Sequence, residues 1–264
     1  MFLPIRDDNP HTITPVVNYT MLAVCIVVFL WQFSLGEEGG QIAVLAYGFT
    51  PAHFFGQGAP APGIPSVPSV LTIFTSMFMH GGWMHLGGNM LYLWIFGDNI
   101  EASLGHKRYL LFYLLCGGAA ALAQGFAAPG SDVPMVGASG AISGVLGAYL
   151  VLHPRSNIKV FVFLIIITVI NVPAFIVLGI WIIGQLMSSA AVDAGQPGVA
   201  FIAHIGGFVA GAVLVLFMKK KSVSIFDTAH SRPFAVERRP LRMRSGGSVP
   251  RSGPRSEQRG PWDP

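Results

Sequence analysis

Charged side chains are scarce in this chain. They make up 11% of its 264 residues, whereas 52% of the residues are hydrophobic and the mean hydropathy is +0.60. Soluble domains carry roughly 25% charged residues, so the composition excludes both a disordered chain and a water-soluble globule. The apolar runs are much longer than the ~10 residues of a transmembrane β-strand. The sequence therefore predicts a helical integral membrane protein.

Lysine and arginine are missing from three stretches, residues 36–82, 127–137 and 188–198. Six apolar segments are predicted to cross the membrane, at about residues 18–35, 83–100, 107–126, 138–153, 160–187 and 199–218. With six crossings, the three stretches without basic residues all lie on one face. All 16 Lys and Arg residues then lie on the other face, which the positive-inside rule assigns to the cytoplasm. The expected fold is all-α, with both termini cytoplasmic.

Composition also divides the chain into three parts. Residues 1–17 are a short N-terminal cytoplasmic segment, and residues 18–221 are the membrane domain. Residues 222–264 contain eight arginines, four acidic residues and six prolines, and they are predicted to be a disordered basic tail. The tail is expected to contact anionic lipid. No nucleic-acid partner is expected, because the basic residues are not interleaved with aromatic ones. Cys25 and Cys116 lie in apolar runs, so no disulfide is expected.

Two stretches fit the six-helix scheme less simply. As one helix, residues 160–187 would be about 42 Å long, against a hydrocarbon core of ~30 Å. A tilted or interfacial start is therefore expected, with a break at Pro173. The loop at 36–82 is rich in proline and aromatic residues. It is expected either to lie in the membrane interface or to be a flexible loop.

Polar residues at membrane depth are costly, and they are candidates for function. Three clusters stand out, at residues 80–89 (HGGWMHLGGN), 137–140 (GASG) and 203–211 (AHIGGFVAG). Counted along straight helices from the cytoplasmic charges, Ser139 and His204 lie about 23–24 Å into the membrane, and Asn89 about 27 Å. The three side chains are therefore expected to lie at similar depths, in the outer half of the bilayer.

Glycines continue the faces that carry these side chains, at Gly140, Gly144, Gly147, Gly207 and Gly211. Small residues let helices approach closely, which would bring the Ser139 hydroxyl within reach of His204, as a serine nucleophile and its base require. Ser139 also begins its predicted segment, where free N–H groups can stabilise an oxyanion. Taken singly, such a serine is most often a helix cap, and such glycines most often only pack. The catalytic interpretation rests on their combination.

Together these motifs resemble the rhomboid family of intramembrane serine proteases. The resemblance covers about residues 70–218 and rests on three motifs: His80-x4-His85-x3-Asn89, Gly137-Ala138-Ser139-Gly140 and Ala203-His204-x2-Gly207-x3-Gly211. Glu101-x3-Gly105 is also similar to the family pattern. The resemblance implies a six-helix rhomboid-like bundle with a catalytic dyad of Ser139 as nucleophile and His204 as general base. It further implies an oxyanion hole of His85, Asn89 and Ser139, supported by His80, Gly137, Gly140, Gly207 and Gly211.

The sequence departs from the family pattern at two places. Many members carry a Trp-Arg pair in the first outer loop, but residues 36–82 contain no arginine. Some members have a tyrosine that stacks on the base, where this chain has Ser143. No acidic residue outside the tail is an obvious partner for His204, so the group that orients its imidazole is left open.

The expected function is that of a serine endopeptidase in the bacterial cell (inner) membrane, hydrolysing peptide bonds in or near transmembrane segments of substrate proteins. The reaction proceeds through an acyl-enzyme and needs no cofactor or metal. Substrate access is expected at the fifth segment and the loop 188–198, with Gly179 and Gly184 loosening the helix. The oligomeric state is not indicated.

Three alternatives compete with this function. One is a catalytically inactive rhomboid-like factor that binds membrane proteins or serves in their quality control. A metal enzyme using His80, His85 and His204 lacks the Glu of a His-Glu-x-x-His motif and any nearby carboxylate. A transporter would require an internal repeat or paired broken helices, and only one broken helix is predicted.

Overall fold

The structure, a computed structural model, describes residues 2–10, 13–60, 62–65, 67–163, 167–191, 201–228 and 231–235. The described part is mostly helical. Its helices are α1 (Val16–Ser34), α2 (Gly36–Tyr47), α3 (Pro51–Phe54), α4 (Ser69–Thr75), α5 (Trp83–Leu104), α6 (His106–Ala127), α7 (Ser139–Leu152), α8 (Ala174–Ala191) and α9 (Phe201–Met218). Its strands are β1 (Phe2–Asp7), β2 (Asn157–Phe163) and β3 (Ile167–Pro173), and a 3₁₀ turn (Ser76–Phe78) follows α4.

Several of these helices are suited to a lipid environment. Within the described residues, α1, α6 and α9 are long and apolar enough to cross a membrane, and Ser69–Phe78, α7 and most of α8 are shorter apolar helices. Helices α1, α5, α6, α7 and α9 begin and end within a few residues of the predicted segments. The chain is an integral membrane protein.

Helix α5 is less apolar than α1, α6 and α9, because several of its polar side chains form hydrogen bonds inside the bundle. The Glu101 carboxylate is fully buried and accepts the backbone N–H groups of Val17 (2.9 Å) and Asn18 (2.6 Å). It also accepts a bond from His106 Nδ1. Val17 and Asn18 lie in the first turn of α1, whose N–H groups have no intrahelical acceptors. The buried carboxylate thus anchors the start of α1 beside α5.

A three-stranded sheet corrects the prediction of an all-α fold. The strands are antiparallel in the order β1-β2-β3, with Leu3 opposite Phe161 and Lys159 opposite Asn171. The segment predicted as one long crossing at 160–187 is therefore part strand and part helix. Its first part is rich in β-branched residues, which favour strands. Pro173 ends β3 and α8 starts at the next residue, so the break predicted at Pro173 is confirmed.

The loop predicted at 36–82 contains helices α2, α3 and α4. Phe49 is fully buried and packs with Ile73 and Ala121, and the Phe49 backbone pairs with that of Met135. The Phe54 ring packs against that of Phe49, with centroids 5.5 Å apart and planes inclined by 56°. The flexible-loop alternative is therefore wrong for the parts that form helices α2, α3 and α4, whereas residues 57–60 are exposed and form no helix.

The region predicted as a tail is partly described. The Phe226 N–H donates to the Val151 carbonyl (3.0 Å), and the Asp227 N–H donates to the Leu152 carbonyl (2.8 Å) at the end of α7. Residues 222–228 thus form ordered contacts within the segment predicted to be disordered. Residues 236–264 of that segment, and residues 192–198 of the predicted access loop, lie outside the described residues.

Candidate active site

Ser139 is the first residue of α7, and the loop before it is held in place by Gly137. The Gly137 N–H donates to the Ser76 carbonyl at 2.9 Å, and Gly137 has a φ of +127°. A β-carbon at this position would lie 2.7 Å from His85 Nε2. Only glycine fits this backbone conformation and this contact. Gly137 therefore lets the loop pass against His85 immediately before the serine.

His204 lies on α9 and directs its imidazole at Ser139. The distance from His204 Nε2 to Ser139 Oγ is 2.8 Å. The imidazole is largely enclosed, since His204 is 9% exposed. The hydroxyl and the imidazole that the sequence motifs singled out are therefore within hydrogen-bond distance.

Glycines bring α7 and α9 into backbone contact and so set this distance. A β-carbon on Gly207 would collide with the Gly140 carbonyl, and one on Gly211 would collide with the Gly144 backbone. The glycine stripes of the two helices face each other, and such contacts let helices approach more closely than side chains would allow. Larger residues in the stripes would separate Ser139 from His204.

The second ring nitrogen of His204 meets a side chain that the sequence analysis did not single out. His204 Nδ1 lies 2.6 Å from Gln185 Oε1 on α8. Trp181, one turn earlier on α8, lies beside the imidazole, with ring centroids 5.9 Å apart and an interplanar angle of 37°. A signal for Gln185 was present, because it is a polar residue inside a predicted membrane segment. The criterion that selected Ser139 also applies to it.

Ser143 takes no part in this contact network around His204. It is buried, and its hydroxyl donates to the Ser139 carbonyl at 2.6 Å, one turn back along α7. Some rhomboids have a stacking tyrosine at the position equivalent to Ser143. Here the Ser143 hydroxyl instead forms a hydrogen bond within α7. The imidazole is contacted from α8 instead.

His85 and Asn89 lie one turn apart on α5 and face the loop before Ser139. His85 Nδ1 accepts the Gly81 N–H at 3.3 Å, so the ring proton is on Nε2. That nitrogen borders Gly137, as does the Asn89 side-chain nitrogen. Asn89 is buried, and its amide nitrogen has no hydrogen-bond partner among the described residues. Two donors therefore converge beside the start of α7.

His80 is buried behind these donors. Gln32 of α1 bonds both backbone groups of His80, at 2.9 Å to the carbonyl and 3.3 Å from the N–H. The His80 ring lies edge-on to that of His85, with centroids 5.3 Å apart. Burial, with a smaller effect of His85, lowers the pKa of His80 to about 4, so its ring is neutral at pH 7. The His80 backbone thus connects α1 to the site, and its uncharged ring packs against His85.

One cavity of about 750 Å³ joins these groups. Its lining includes Ser139, His204, His85 and Asn89, together with apolar side chains such as Met84 and Trp181. In the described part of the chain, no three His, Cys, Asp or Glu side chains are grouped so that they could hold a metal ion. The arrangement provides a hydroxyl, an imidazole and hydrogen-bond donors in a mainly apolar cavity, which are the parts needed for acyl transfer.

Comparison with known proteins relates the chain to rhomboid proteins. The family profile described as the rhomboid domain matches residues 68–221. Rhomboid-like protein 11, chloroplastic, of Arabidopsis thaliana is 29% identical over 163 residues, which cover 58% of this chain and 54% of that protein. Rhomboid protein 1, mitochondrial, of Saccharomyces cerevisiae is 32% identical, covering 58% of this chain and 43% of that protein.

A bacterial relative has the word protease in its name. Rhomboid protease GluP of Bacillus subtilis is 31% identical over 147 residues, covering 56% of this chain and 26% of that protein. The chain thus spans about half or less of the length of these three relatives. The family profile, in contrast, covers more than half of the chain and includes all three motifs of the site. The chain belongs to the rhomboid family.

Proposed function

We propose that this protein is an intramembrane serine protease with Ser139 as its nucleophile and His204 as its general base. The observation that carries the proposal is the 2.8 Å contact between His204 Nε2 and Ser139 Oγ. The contact from His204 Nδ1 to Gln185 Oε1 supports it, because it favours the tautomer in which Nε2 accepts a proton. Membership of a family that contains proteases supports it as well.

The reaction follows from these positions. Ser139 Oγ attacks the carbonyl carbon of a peptide bond while its proton moves to His204 Nε2. The tetrahedral intermediate collapses, the C–N bond breaks, and the proton passes from His204 to the leaving amine. Water then attacks the acyl-enzyme, giving its proton to His204, and the ester bond to Ser139 breaks. The carboxylic acid product leaves, and Ser139 regains its proton.

The oxyanion of the tetrahedral intermediate is proposed to be stabilised by His85 Nε2–H, the Asn89 amide and the Ser139 backbone N–H. The first two donors border Gly137, two residues before the nucleophile. The third lies at the start of α7, where the helix dipole also favours negative charge. His80 supports this arrangement from behind, and Gly137, Gly140, Gly207 and Gly211 maintain its spacing.

The substrates are proposed to be transmembrane proteins cut in or near their membrane segments. Peptide carbonyls in a helix are already hydrogen-bonded, so a stretch with small, easily unwound residues is favoured at the cut. Six crossings, α1 and α5–α9, would place both termini and all basic residues on one face. In a bacterium that face is the cytoplasm, and the protein would lie in the cell (inner) membrane. Residues 222–264 would follow the membrane domain 18–221 as a cytoplasmic tail.

An inactive rhomboid-like binding factor is the competing function. It would capture membrane proteins without cutting them. Nothing in its role requires a hydroxyl at 139, an imidazole at 204 and their contact at 2.8 Å. The protease is therefore the better supported of the two.

The first test is labelling of the purified full-length protein with a fluorophosphonate probe, which reacts only with an activated serine. We expect wild type to be labelled, and Ser139→Ala and His204→Ala to lose labelling. Ser143→Ala is the matched control, because this serine lies one turn away and bonds only to the backbone of Ser139. It should remain labelled. A folded wild type that takes no label would favour the binding factor.

A further inference from the structure

Helix α8 contributes two side chains to the immediate surroundings of the His204 imidazole. Gln185 Oε1 lies 2.6 Å from Nδ1, the ring nitrogen that does not face Ser139. Trp181 lies four residues earlier, on the same face of α8. Its ring is tilted by 37° to the imidazole at a centroid distance of 5.9 Å. One side chain thus meets the edge of the ring, and the other lies beside it.

The same face of α8 is also fixed to α9. Trp181 stacks on Phe208, with ring centroids 6.1 Å apart and planes inclined by 29°. Phe208 lies one turn after His204 on α9, so Trp181 contacts two successive side chains of one helix face. The contact of α8 with the imidazole is therefore part of a packed helix interface.

The Gln185 oxygen constrains the proton on the base. An amide oxygen only accepts hydrogen bonds, so His204 Nδ1 must carry the ring proton in this contact. The lone pair is then on Nε2, which lies 2.8 Å from Ser139 Oγ. This is the tautomer that can take a proton from the hydroxyl.

We propose that Gln185 is a positioning residue for the reaction, fixing the tautomer and orientation of His204, and that Trp181 restrains the ring. The inference rests on the proposed function, since it assigns the partner of the base in that same site. Because Gln185 belongs to α8, the base is aligned only while this helix stays docked on α9. Any movement of α8 that admits substrate must preserve or restore this contact before catalysis.

Among the described residues, few ionisable groups surround His204, which makes a pH test interpretable. From across the cavity, His85 on α5 acts on His204 electrostatically, and Tyr92 on the same helix also lines the cavity. Helices α6 and α8 line the described part of the cavity with uncharged side chains such as Gln124 and Trp181, and α7 contributes Ser139. His85 is present in every variant below, so a difference between variants reports on residue 185.

The test compares Gln185→Met, Gln185→Glu and Ile183→Met in the full-length protein, measuring the fluorophosphonate labelling rate against pH. Methionine matches glutamine in size but offers no oxygen, so Gln185→Met should label at least about tenfold more slowly at every pH, or ~1.4 kcal/mol in barrier. A glutamate accepts the same N–H and holds the protonated imidazole more strongly. Gln185→Glu should therefore keep labelling, with its midpoint moved to higher pH.

Ile183→Met introduces the same side chain at an exposed position of α8, where Ile183 is 56% exposed. It should label like wild type. If Gln185→Met labels at the wild-type rate and Gln185→Glu leaves the pH midpoint unchanged, the inference is wrong. If Gln185→Met does not fold, the pH midpoint of Gln185→Glu decides, because a role in packing alone would not move it.

A second measurement does not require activity. In ¹⁵N-histidine-labelled Ser139→Ala protein, the His204 Nδ1–H proton should give a slowly exchanging NMR signal, which should be lost in Ser139→Ala/Gln185→Met. Persistence of the signal in the double variant would overturn the inference. If wild type takes no probe but the signal behaves as expected, the proposed protease function fails while the Gln185 contact stands.

Discussion

Asn89 has a buried amide nitrogen that no described group satisfies. Such a donor is unfavourable for folding, typically by about 1–3 kcal/mol, so its presence needs a reason. It borders the same glycine as His85 Nε2, beside the start of α7. In the proposed reaction, a donor left unpaired in the resting site would be free to bind the oxyanion of the tetrahedral intermediate.

This reasoning predicts opposite effects of Asn89→Ala on activity and stability. The fluorophosphonate labelling rate should fall by about 10²–10³-fold, the usual effect of removing one oxyanion donor. The thermal midpoint in detergent should stay the same or rise, because an unsatisfied buried group is removed. Loss of labelling accompanied by loss of the folding transition would contradict this.

Asn99→Ala provides the matched contrast on the same helix. The Asn99 amide donates to Asp7 at 2.6 Å and to Asp98 at 3.0 Å. Its removal should lower the free energy of unfolding by about 1–3 kcal/mol. The labelling rate per folded molecule should equal that of wild type. The two asparagines thus separate a donor held for chemistry from a donor held for the fold.

At the residue scale, the sequence placed Ser139, His204 and Asn89 together because depth can be counted from cytoplasmic charges along straight helices. It did not reveal Gln185, although a glutamine in an apolar segment is a similar signal. A depth count to Gln185 from the nearest preceding basic residue, Lys159, would assume a straight helix, but residues 160–163 and 167–173 are strand. Which ring nitrogen faces which side chain also depends on tertiary packing.

Helix α8 differs from α7 in how its glycines are used. A β-carbon at Gly179 or Gly184 would meet no atom of the described residues within 4 Å, whereas one at Gly147 would collide with the backbone of Phe208. The glycines of α7 are required by packing. Those of α8 are not, and they leave the helix with weak intrinsic propensity, each by about 1 kcal/mol relative to alanine. Much of α8 is also exposed, including Ile180 at 69% and Met187 at 70%.

The double variant Gly179→Ala/Gly184→Ala tests whether α8 must deform to admit substrate. It should be more stable by about 1–2 kcal/mol, and labelling by the small probe should be unchanged. Hydrolysis of a transmembrane reporter substrate should fall several-fold, because a stiffer helix opens less readily. Equal rates of labelling and hydrolysis in the variant and wild type would exclude this role of α8. Gly147→Ala, in comparison, should lower stability.

At the element scale, the long apolar helices were predictable, whereas the sheet and the shorter helices α2, α3 and α4 were not. Long apolar runs bounded by charges indicate transmembrane helices in any membrane protein, and here they predict α1, α6 and α9. Strand β1 consists of residues 2–7, which lie more than 150 positions from their partners in β2. Pairing over such a distance leaves no periodic pattern in the local sequence. The β-branched residues of 167–173 are mostly apolar as well, so hydropathy alone assigned them to the following helix.

Asp7 connects the N-terminal strand to the helical bundle. This residue ends β1, and its carboxylate accepts bonds from Asn99 on α5 (2.6 Å) and from the Tyr149 hydroxyl on α7 (2.7 Å). The N-terminal strand thereby connects the sheet to two helices of the bundle that carries the site. Burial raises the pKa of Asp7 to about 7, with smaller contributions from Asp98 and Asp8, although the bond from Tyr149 opposes the rise.

A raised pKa in the folded state makes the stability of the whole molecule fall with rising pH. Between pH ~4 and ~7 the folded protein keeps a proton on Asp7 that the unfolded chain has already lost. The free energy of unfolding should therefore decrease across this window and level off above pH 7. The difference between about 7 and the ordinary 3.8 corresponds to at most about 4 kcal/mol. His80 acts in the opposite sense, because its lowered pKa means that acid below pH 6.5 destabilises the fold.

Asp7→Asn separates these two effects, because His80 is the same in both proteins. Asparagine retains an oxygen acceptor for Asn99 and Tyr149 but carries no charge. The thermal midpoint of the variant should match wild type at about pH 4, exceed it increasingly up to about pH 7, and keep that advantage above pH 7. Asp132→Asn, which removes an exposed acid from the loop before α7, should give no such divergence. A wild-type advantage at pH 8 would instead mean that the ionised carboxylate stabilises the junction of β1, α5 and α7, and would refute a raised pKa at this site.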